Sequence, residues 1–458
     1  MTPLTSGGTS NIVPHLNGAD LGLLWIIPFA GVLLSIALLP LTAPKFWHHH
    51  YGKIAIAWAL AFFVPFVFTF GPAIAGYEFL HTLLLEYLPF ITLLFALFTV
   101  AGGVGITGRL VGTPVVNTGL LLFGTLIASI TGTTGACMLL IGPVLKANRW
   151  RRKKAHVVIF FIFLVGNIGG SLTPLGDPPL FLGFLKGVDF FWTLQNILPE
   201  TLVSAGILLT LFFAMDTWYY KHDKGKEPPH DGESFGIEGG VNLLLLVGVV
   251  GAVLLSGLWD GGIAFILHGV DVDLAGLTRD VLLLVLAGLS LWLTPVKSRL
   301  HHGFSWAPIV EVAKLFAGIF ATIIPAIAVL RAGTSGALAP LVRLVSTPDG
   351  QPVDAMYFWL TGLLSSFLDN APTYLVFFNL AGGDPVQLMT DYATTLAAIS
   401  AGAVFMGANT YIGNAPNFMV KAIAEERGVK MPGFFGYMLW SGAILGPLFI
   451  LLTLLFFR

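Results

Sequence analysis

Residues 166–179 read Gly-Asn-Ile-Gly-Gly-Ser-Leu-Thr-Pro-Leu-Gly-Asp-Pro-Pro, and residues 407–416 read Gly-Ala-Asn-Thr-Tyr-Ile-Gly-Asn-Ala-Pro. Each stretch cuts a long apolar run with glycine, proline and hydroxyl or amide side chains. Both carry T-x-x-G-[D/N]-x-P, as Thr173 to Pro179 and as Thr410 to Pro416, about 237 residues apart. A second pair recurs beside them. Ser129 to Ala136 (SITGTTGA) stands 236 residues before Ser365 to Pro372 (SSFLDNAP). One short match is expected by chance, but two at nearly one offset indicate an internal repeat.

The surrounding composition identifies the medium. The 458 residues include 23 Lys/Arg and 24 Asp/Glu, about 10% charged, against roughly 25% in a soluble domain. Mean hydropathy is +0.85, and 54 Gly and 27 Pro lie among apolar runs, which transmembrane helices tolerate. A β-barrel would alternate over segments of about 10 residues, and these runs are continuous. A net charge of −1 gives no basic surface for nucleic acid, and the single cysteine, Cys137, forms no intrachain disulfide.

Windows of about 20 apolar residues predict crossings at 21–43, 54–76, 84–103, 154–187, 191–218, 241–258, 278–296, 308–331, 392–427 and 432–457. The spans 154–187 and 392–427 are too long for one straight helix and read as broken helices. Segments 115–145 and 355–380, each with a polar centre, read as re-entrant hairpins. The fold class is an all-α polytopic membrane protein of about ten spans plus two hairpins. Residues 1–20 contain no Lys or Arg, so the first span reads as retained rather than as a cleaved signal.

Positive charge sorts by loop. Lys45, Lys53, Arg109, Lys146, Arg149, Arg151 to Lys154, Lys221, Lys224, Lys226, Lys297, Arg299, Lys421, Arg427 and Lys430, 17 of 23, fall in alternate loops, which the positive-inside rule makes cytoplasmic. Lys186, Arg279, Arg331, Arg343 and Arg458 fall opposite. Both termini are expected to be extracytoplasmic in the inner (plasma) membrane. The chain divides into an N-terminal segment 1–20, a first repeat 21–218, a polar linker 219–240 and a second repeat 241–458. Five crossings per half is odd, so the halves are inverted, the logic of secondary transporters.

Unwound backbone at membrane depth survives only around a protected cavity, so the four polar breaks predict a shared site. They offer Thr131, Thr133, Thr134, Asn167, Ser171, Thr173, Asp177, Ser365, Ser366, Asp369, Asn370, Thr373, Asn409, Thr410 and Asn414, and no Lys, Arg or His. Hard oxygen donors suit hard cations. Asp177 and Asp369 stand out because an intramembrane carboxylate is expensive, although each also stands where it could simply cap a half-helix. Thr133 and Asn414 occupy the repeat-related places on this alignment, which favours a charge-specific role, with a carboxyl trading a proton for a metal cation. Elsewhere, Glu311 and Lys314 are expected to pair on one helix face. Glu86 reads as structural, His48 to His50 as a solvated loop tract, and Glu200 and Asp216 as near span ends.

On Gly166 to Asp177, Leu368 to Thr373 and Gly407 to Pro416, the chain resembles the ion transporter superfamily, and within it the NhaD-type sodium/proton antiporters and citrate-transporter-like proteins. The resemblance implies a homodimer with scaffold and transport domains, hairpin tips that meet the broken helices, and elevator-type alternating access. It implies one ion site at Thr131 to Thr134 with Asn167 to Asp177, and another at Ser365 to Thr373 with Asn409 to Asn414. Ser171 replaces an acid typical of NhaD-type proteins, and the tips lack the Ser-Asn-Thr triplets of sodium/dicarboxylate cotransporters. The expected function is Na⁺(Li⁺)/H⁺ antiport, with sodium-coupled citrate or organic-anion carriage and arsenite export as alternatives. No enzymatic activity is expected, since Asp177 lacks the G-x-G-D context of an intramembrane aspartyl protease. No cofactor is expected, Na⁺ being cargo or coupling ion.

Overall fold

A computed structural model describes residues 16–108, 110–223, 236–301 and 304–458. Most of the 1–20 segment, the centre of the 219–240 linker, and Arg109, Lys224 and Lys226 lie outside the described residues. The chain is an all-α polytopic membrane protein. Among the described residues, eight helices are long and apolar enough to span a bilayer. They are Leu23–Thr42, Pro44–Ala101, Pro114–Thr131, Trp192–Lys221, Val241–Leu258, Leu274–Leu293, Ala307–Arg331 and Phe434–Phe456. Among the described residues, strands are confined to two short antiparallel pairs, Gly105–Thr107 with Gly236–Glu238 and Ile263–Leu267 with Val270–Asp273.

The interrupted segments form helices where proline and polar residues permit. Pro114–Thr131 and Thr133–Ala147 make the first hairpin. They meet at Gly132, whose φ of 77° a side-chain-bearing residue rarely adopts. The first broken helix is Ala155–Leu164 and Pro178–Leu185, and the second is Ala393–Met406 and Ala415–Glu426. Proline lies in the first turn after each break, where a helix has no use for its N–H. The second hairpin is Asp354–Phe367 and Asn370–Leu380.

The turn expected at 77–83, between the second and third spans, falls earlier. Within Pro44–Ala101 the chain turns back at Gly71 (φ 84°, ψ 161°), just before Pro72, which brings the Phe63 and Phe79 rings to 5.4 Å, and the returning helix carries a π-turn at Leu83–Tyr87. The apolar count could not locate a turn made without polar residues.

Buried apolar side chains gather in two main clusters. One joins the hairpins, the broken helices, Trp192–Lys221 and Phe434–Phe456, around Phe160, Phe163, Phe358 and Phe405. The other joins Ile27–Thr42, Leu88–Ala101, Val241–Leu258, Leu274–Leu293 and Ala307–Arg331 around Phe90, Val249 and Phe320. Phe181, Leu182, Ala371 and Leu375 project from the half-helices and the second hairpin into this second unit.

Several charges settle differently from expectation. Lys314 does not pair with Glu311. Its ammonium stands 5.4 Å from the Tyr51 ring centre, while the Glu311 carboxyl lies beside Trp47. Trp47 and Tyr51, one turn apart on the facing helix, intercept both ends of the intended pair. Glu86, within the π-turn, pairs with Lys186 at 2.5 Å. Glu200 is buried well inside Trp192–Lys221 rather than at its end, with Oε2 accepting no hydrogen bond.

Asp216 anchors the base of the first hairpin. Its Oδ1 lies 2.6 Å from Arg151 Nη1 and 2.7 Å from His156 Nε2. Its Oδ2 accepts from Asn117, which also exchanges hydrogen bonds with Asn148. The Arg151 and Asp216 side chains are fully buried. Removing one partner of a buried pair leaves the other charge uncompensated, at about 3–5 kcal/mol. Asp216→Asn is therefore expected to lower the thermal unfolding midpoint of the purified protein strongly. An unchanged midpoint would contradict this anchoring role.

Candidate functional site

Breaking a helix inside an apolar core frees backbone groups, and hydroxyls from the adjacent hairpin take them up. Ser129 Oγ donates to Gly169 O at 2.6 Å and accepts from Leu172 N at 3.1 Å. Thr173 Oγ1 in turn donates to Ser129 O and accepts from Leu175 N. In the second half, Ser366 Oγ donates to Met406 O at 3.0 Å, Thr410 Oγ1 donates to Ser366 O, and Ile412 N donates to Thr410 Oγ1. Each bond of the second set repeats one of the first with every residue shifted by 237, the separation that also relates Asp177 to Asn414.

This corrects the hairpin alignment. Ser129 corresponds to Ser366, not Ser365, so Thr133 corresponds to Asn370 and Gly132 to Asp369. The 236-residue register matched serine to the wrong one of two adjacent serines. The breaks are also tightly closed. A Cβ on Gly176 would lie 2.2 Å from Gly170 O, and one on Gly413 would lie 2.6 Å from Gly407 O, so only glycine fits at either crossing.

The four interruptions converge on Asp177. Thr133 Oγ1 from the first hairpin donates to its Oδ1 at 2.8 Å, and Asn414 Nδ2 from the second break donates to the same oxygen at 3.1 Å. Asn370 Nδ2 from the second hairpin donates to its Oδ2. Asp177 is 1% exposed and makes no side-chain cap to the half-helix that follows it. Asp369 does cap its helix, accepting from Ala371 N at 3.0 Å. Capping thus describes one aspartate and not the other. Hydrogen bonds to a charged group contribute about 1.5–3 kcal/mol each, and burying the ion costs several kcal/mol. The two effects are of similar size, so the three donors about offset the burial of the charge.

Beside Asp177 lies a cavity of about 90 Å³ lined by both aspartates, several times the roughly 10–15 Å³ that one water needs. Thr131, Thr133, Thr134, Asn370 and Asn414 also line it. Its other wall, from Leu88–Ala101 and Ala307–Arg331, is apolar: Leu93, Leu94, Leu97, Phe98, Ile309, Val312 and Phe316. No Lys, Arg or His lines it. Asn370 Oδ1 is buried and accepts no hydrogen bond, which leaves an amide oxygen for a cation. Among the described residues, no group of three or more His, Cys, Asp or Glu is placed to hold a metal, so the donor set is chiefly neutral oxygen, suited to a weakly held hard ion.

The remaining sequence-derived residues serve the frame. Thr131 Oγ1 donates to Ile127 O and Gly132 O. Asn167 Nδ2 donates to Ile162 O and Asn417 Oδ1, both at 2.8 Å. Ser171 turns to Thr201 at 2.7 Å, and Ser365 donates to Ala403 O. Thr373 donates to Asp369 O and Asn409 to Ser366 Oγ. Asn417, outside the sequence-derived set, is fully buried and donates to Gly407 O and Thr410 O at 2.8 and 2.9 Å. It lies one residue past the repeated motif, and its counterpart is Leu180, so the repeat concealed it. A polar residue on a buried face after the break was the available signal.

Broken helices, paired hairpins and a shared polar cavity define a multi-pass membrane transport protein. Its sequence places it in a specific family: residues 18–457 match CitMHS_2, described as "Putative citrate transport", and the chain belongs to that family. No individually curated protein matches it.

Asn417→Ala would take from Asn167 Nδ2 one of its two acceptors and remove the donor to Gly407 O and Thr410 O, at about 1–3 kcal/mol for each group that finds no water. The expected outcome is a lower thermal midpoint. Asn417→Leu, the residue type at the related position, should do no better, and a midpoint equal to wild type would remove Asn417 from the frame.

Proposed function

We propose that the protein is a monovalent-cation/proton antiporter exchanging Na⁺ or Li⁺ for H⁺, with Asp177 as the principal exchanging carboxylate and Asp369 assisting. The observation that carries this reading is the charge of the central cavity: two carboxylates, an unpaired amide oxygen and no cationic side chain. An anion alone would be repelled there. Asp177, Asp369, Asn370 Oδ1 and the tip threonines would hold the cation in turn with protons.

Elevator-type movement fits the same geometry. Every polar group at the cavity belongs to the hairpins and broken helices, and the facing helices offer apolar side chains. An ion held on one side only can travel with that side. By resemblance, the moving unit would work within a homodimer in the inner membrane, with both termini extracytoplasmic and the two halves inverted.

The family description favours a second reading, cation-coupled carriage of citrate or a related organic anion. In that case the carboxylates would first bind Na⁺, and helix N-termini at the breaks would add attraction for the anion.

Reconstitution into liposomes with an internal pH dye separates the two. Antiport predicts proton movement driven by Na⁺ or Li⁺, lost in Asp177→Asn and weakened in Asp369→Asn. Asn370→Ala is expected to raise the apparent KM for the cation with a smaller effect on maximal rate. Citrate-dependent Na⁺ uptake without proton movement would overturn antiport in favour of the second reading.

A further inference from the structure

A larger cavity, about 650 Å³, lies at the base of the first hairpin. Its walls come from the loop after Leu88–Ala101, the end of Thr133–Ala147, the entry to the first broken helix and the exit from the second. Four cations line it, Lys146, Arg149, Lys154 and Arg427, with Glu426 the one carboxylate.

Among the described residues, none of these four cations forms an ion pair. Backbone carbonyls position three of them. Lys146 Nζ donates to Gly108 O, Lys154 Nζ to Arg149 O and Arg427 Nη1 to Gly142 O, each at 3.3 Å. Neighbouring Arg151, by contrast, is matched by Asp216. Lys154 is half-buried, and burial together with the Arg149 guanidinium holds its ammonium below the usual lysine range, against the pull of Asp223.

We infer that this recess binds a phosphate-bearing anion, taken either from a lipid headgroup or from a soluble phosphate compound. The volume falls within the roughly 300–1,000 Å³ of ligand pockets. Arginine offers phosphate paired N–H donors, and basic pockets between helices take anionic headgroups. Three of the cations come from the first half and Arg427 from the second, 285 residues from its carbonyl partner Gly142. A bound phosphate therefore ties the exit of the second broken helix to the base of the first hairpin. The inference is independent of which ion is transported.

The test uses the full-length protein in phosphatidylcholine nanodiscs. Thermal midpoint is read during titration with pyrophosphate, and separately with increasing phosphatidylglycerol. A saturable rise in either arm is expected, with apparent affinity falling about tenfold in Arg427→Gln or Lys146→Gln and unchanged in Lys153→Gln outside the recess. A rise in the lipid arm alone assigns the headgroup, and a rise in the pyrophosphate arm alone assigns a soluble ligand. No saturable rise in either arm overturns the proposal, whatever the variants do. Undiminished affinity in both recess variants overturns it equally.

Discussion

Backbone amides and carbonyls released inside an apolar core have no water to turn to, and each left unpaired costs free energy comparable to a lost hydrogen bond. Two helices are opened here at such depth, and the molecule is arranged around repairing them. Ser129 and Ser366 reach from the hairpins into the breaks, and Thr173 and Thr410 reach back. Each hairpin therefore belongs to the break it faces as a structural partner. Without the hairpins the breaks would be too costly to keep, and without the breaks the hairpin tips would have little reason to be polar.

The frame repeats, but what it holds does not. Asp177 in the first half stands where the second has Asn414, and Asp369 in the second stands where the first has Gly132. Gly132 needs its positive φ to turn the first tip, whereas Asp369, at φ −58°, turns the second with a capping carboxylate. One carboxylate thus closes a tip while the other accepts donors from three different elements. The asymmetry leaves Asp177 as the hub, with Asn414 donating to it, and sets Asp369 at the tip as the second carboxylate of the same cavity.

Much of this was legible before any coordinate. Val241–Leu258 coincides with its predicted span, and both hairpins begin and end within two residues of expectation, because apolar length and helix-breaking residues are local properties. The cluster around Asp177 was named residue by residue for the same reason: hydroxyl and amide side chains interrupting an apolar run are visible in one dimension. What stayed hidden depends on distance. Ser171 and Thr134 look alike in the string, yet one turns to Thr201 and the other lines the cavity. Lys314 is three residues from Glu311 and still finds Tyr51, because a facing helix is as near as the next turn. Arg427 and Gly142 meet across most of the chain.

The seam between the two packing units combines a smooth surface with directional attachments, the Glu86–Lys186 pair and a hydrogen bond from Arg331 Nε to Asn379 Oδ1 at 2.8 Å. Across the cavity the facing helices present leucine, isoleucine and phenylalanine, whose contacts are non-directional and can re-form after a shift. Lys186, at the end of the first broken helix, and Glu86, in the π-turn, are different: their pair is directional and largely shielded, with side-chain exposures of 14% and 8%. Separating them leaves two poorly solvated charges, which is costly in a way that sliding leucine past phenylalanine is not. The π-turn supplies the placement, since an extra residue in the helical turn redirects a side chain without ending the helix. Under the elevator motion proposed above, the apolar wall would give the unit that carries Asp177 an easy path, and the Glu86–Lys186 pair would favour the position seen here. Among the described residues, Glu86–Lys186 is the ion pair that joins the two units, and its lysine is not part of the central cavity, which no Lys, Arg or His lines.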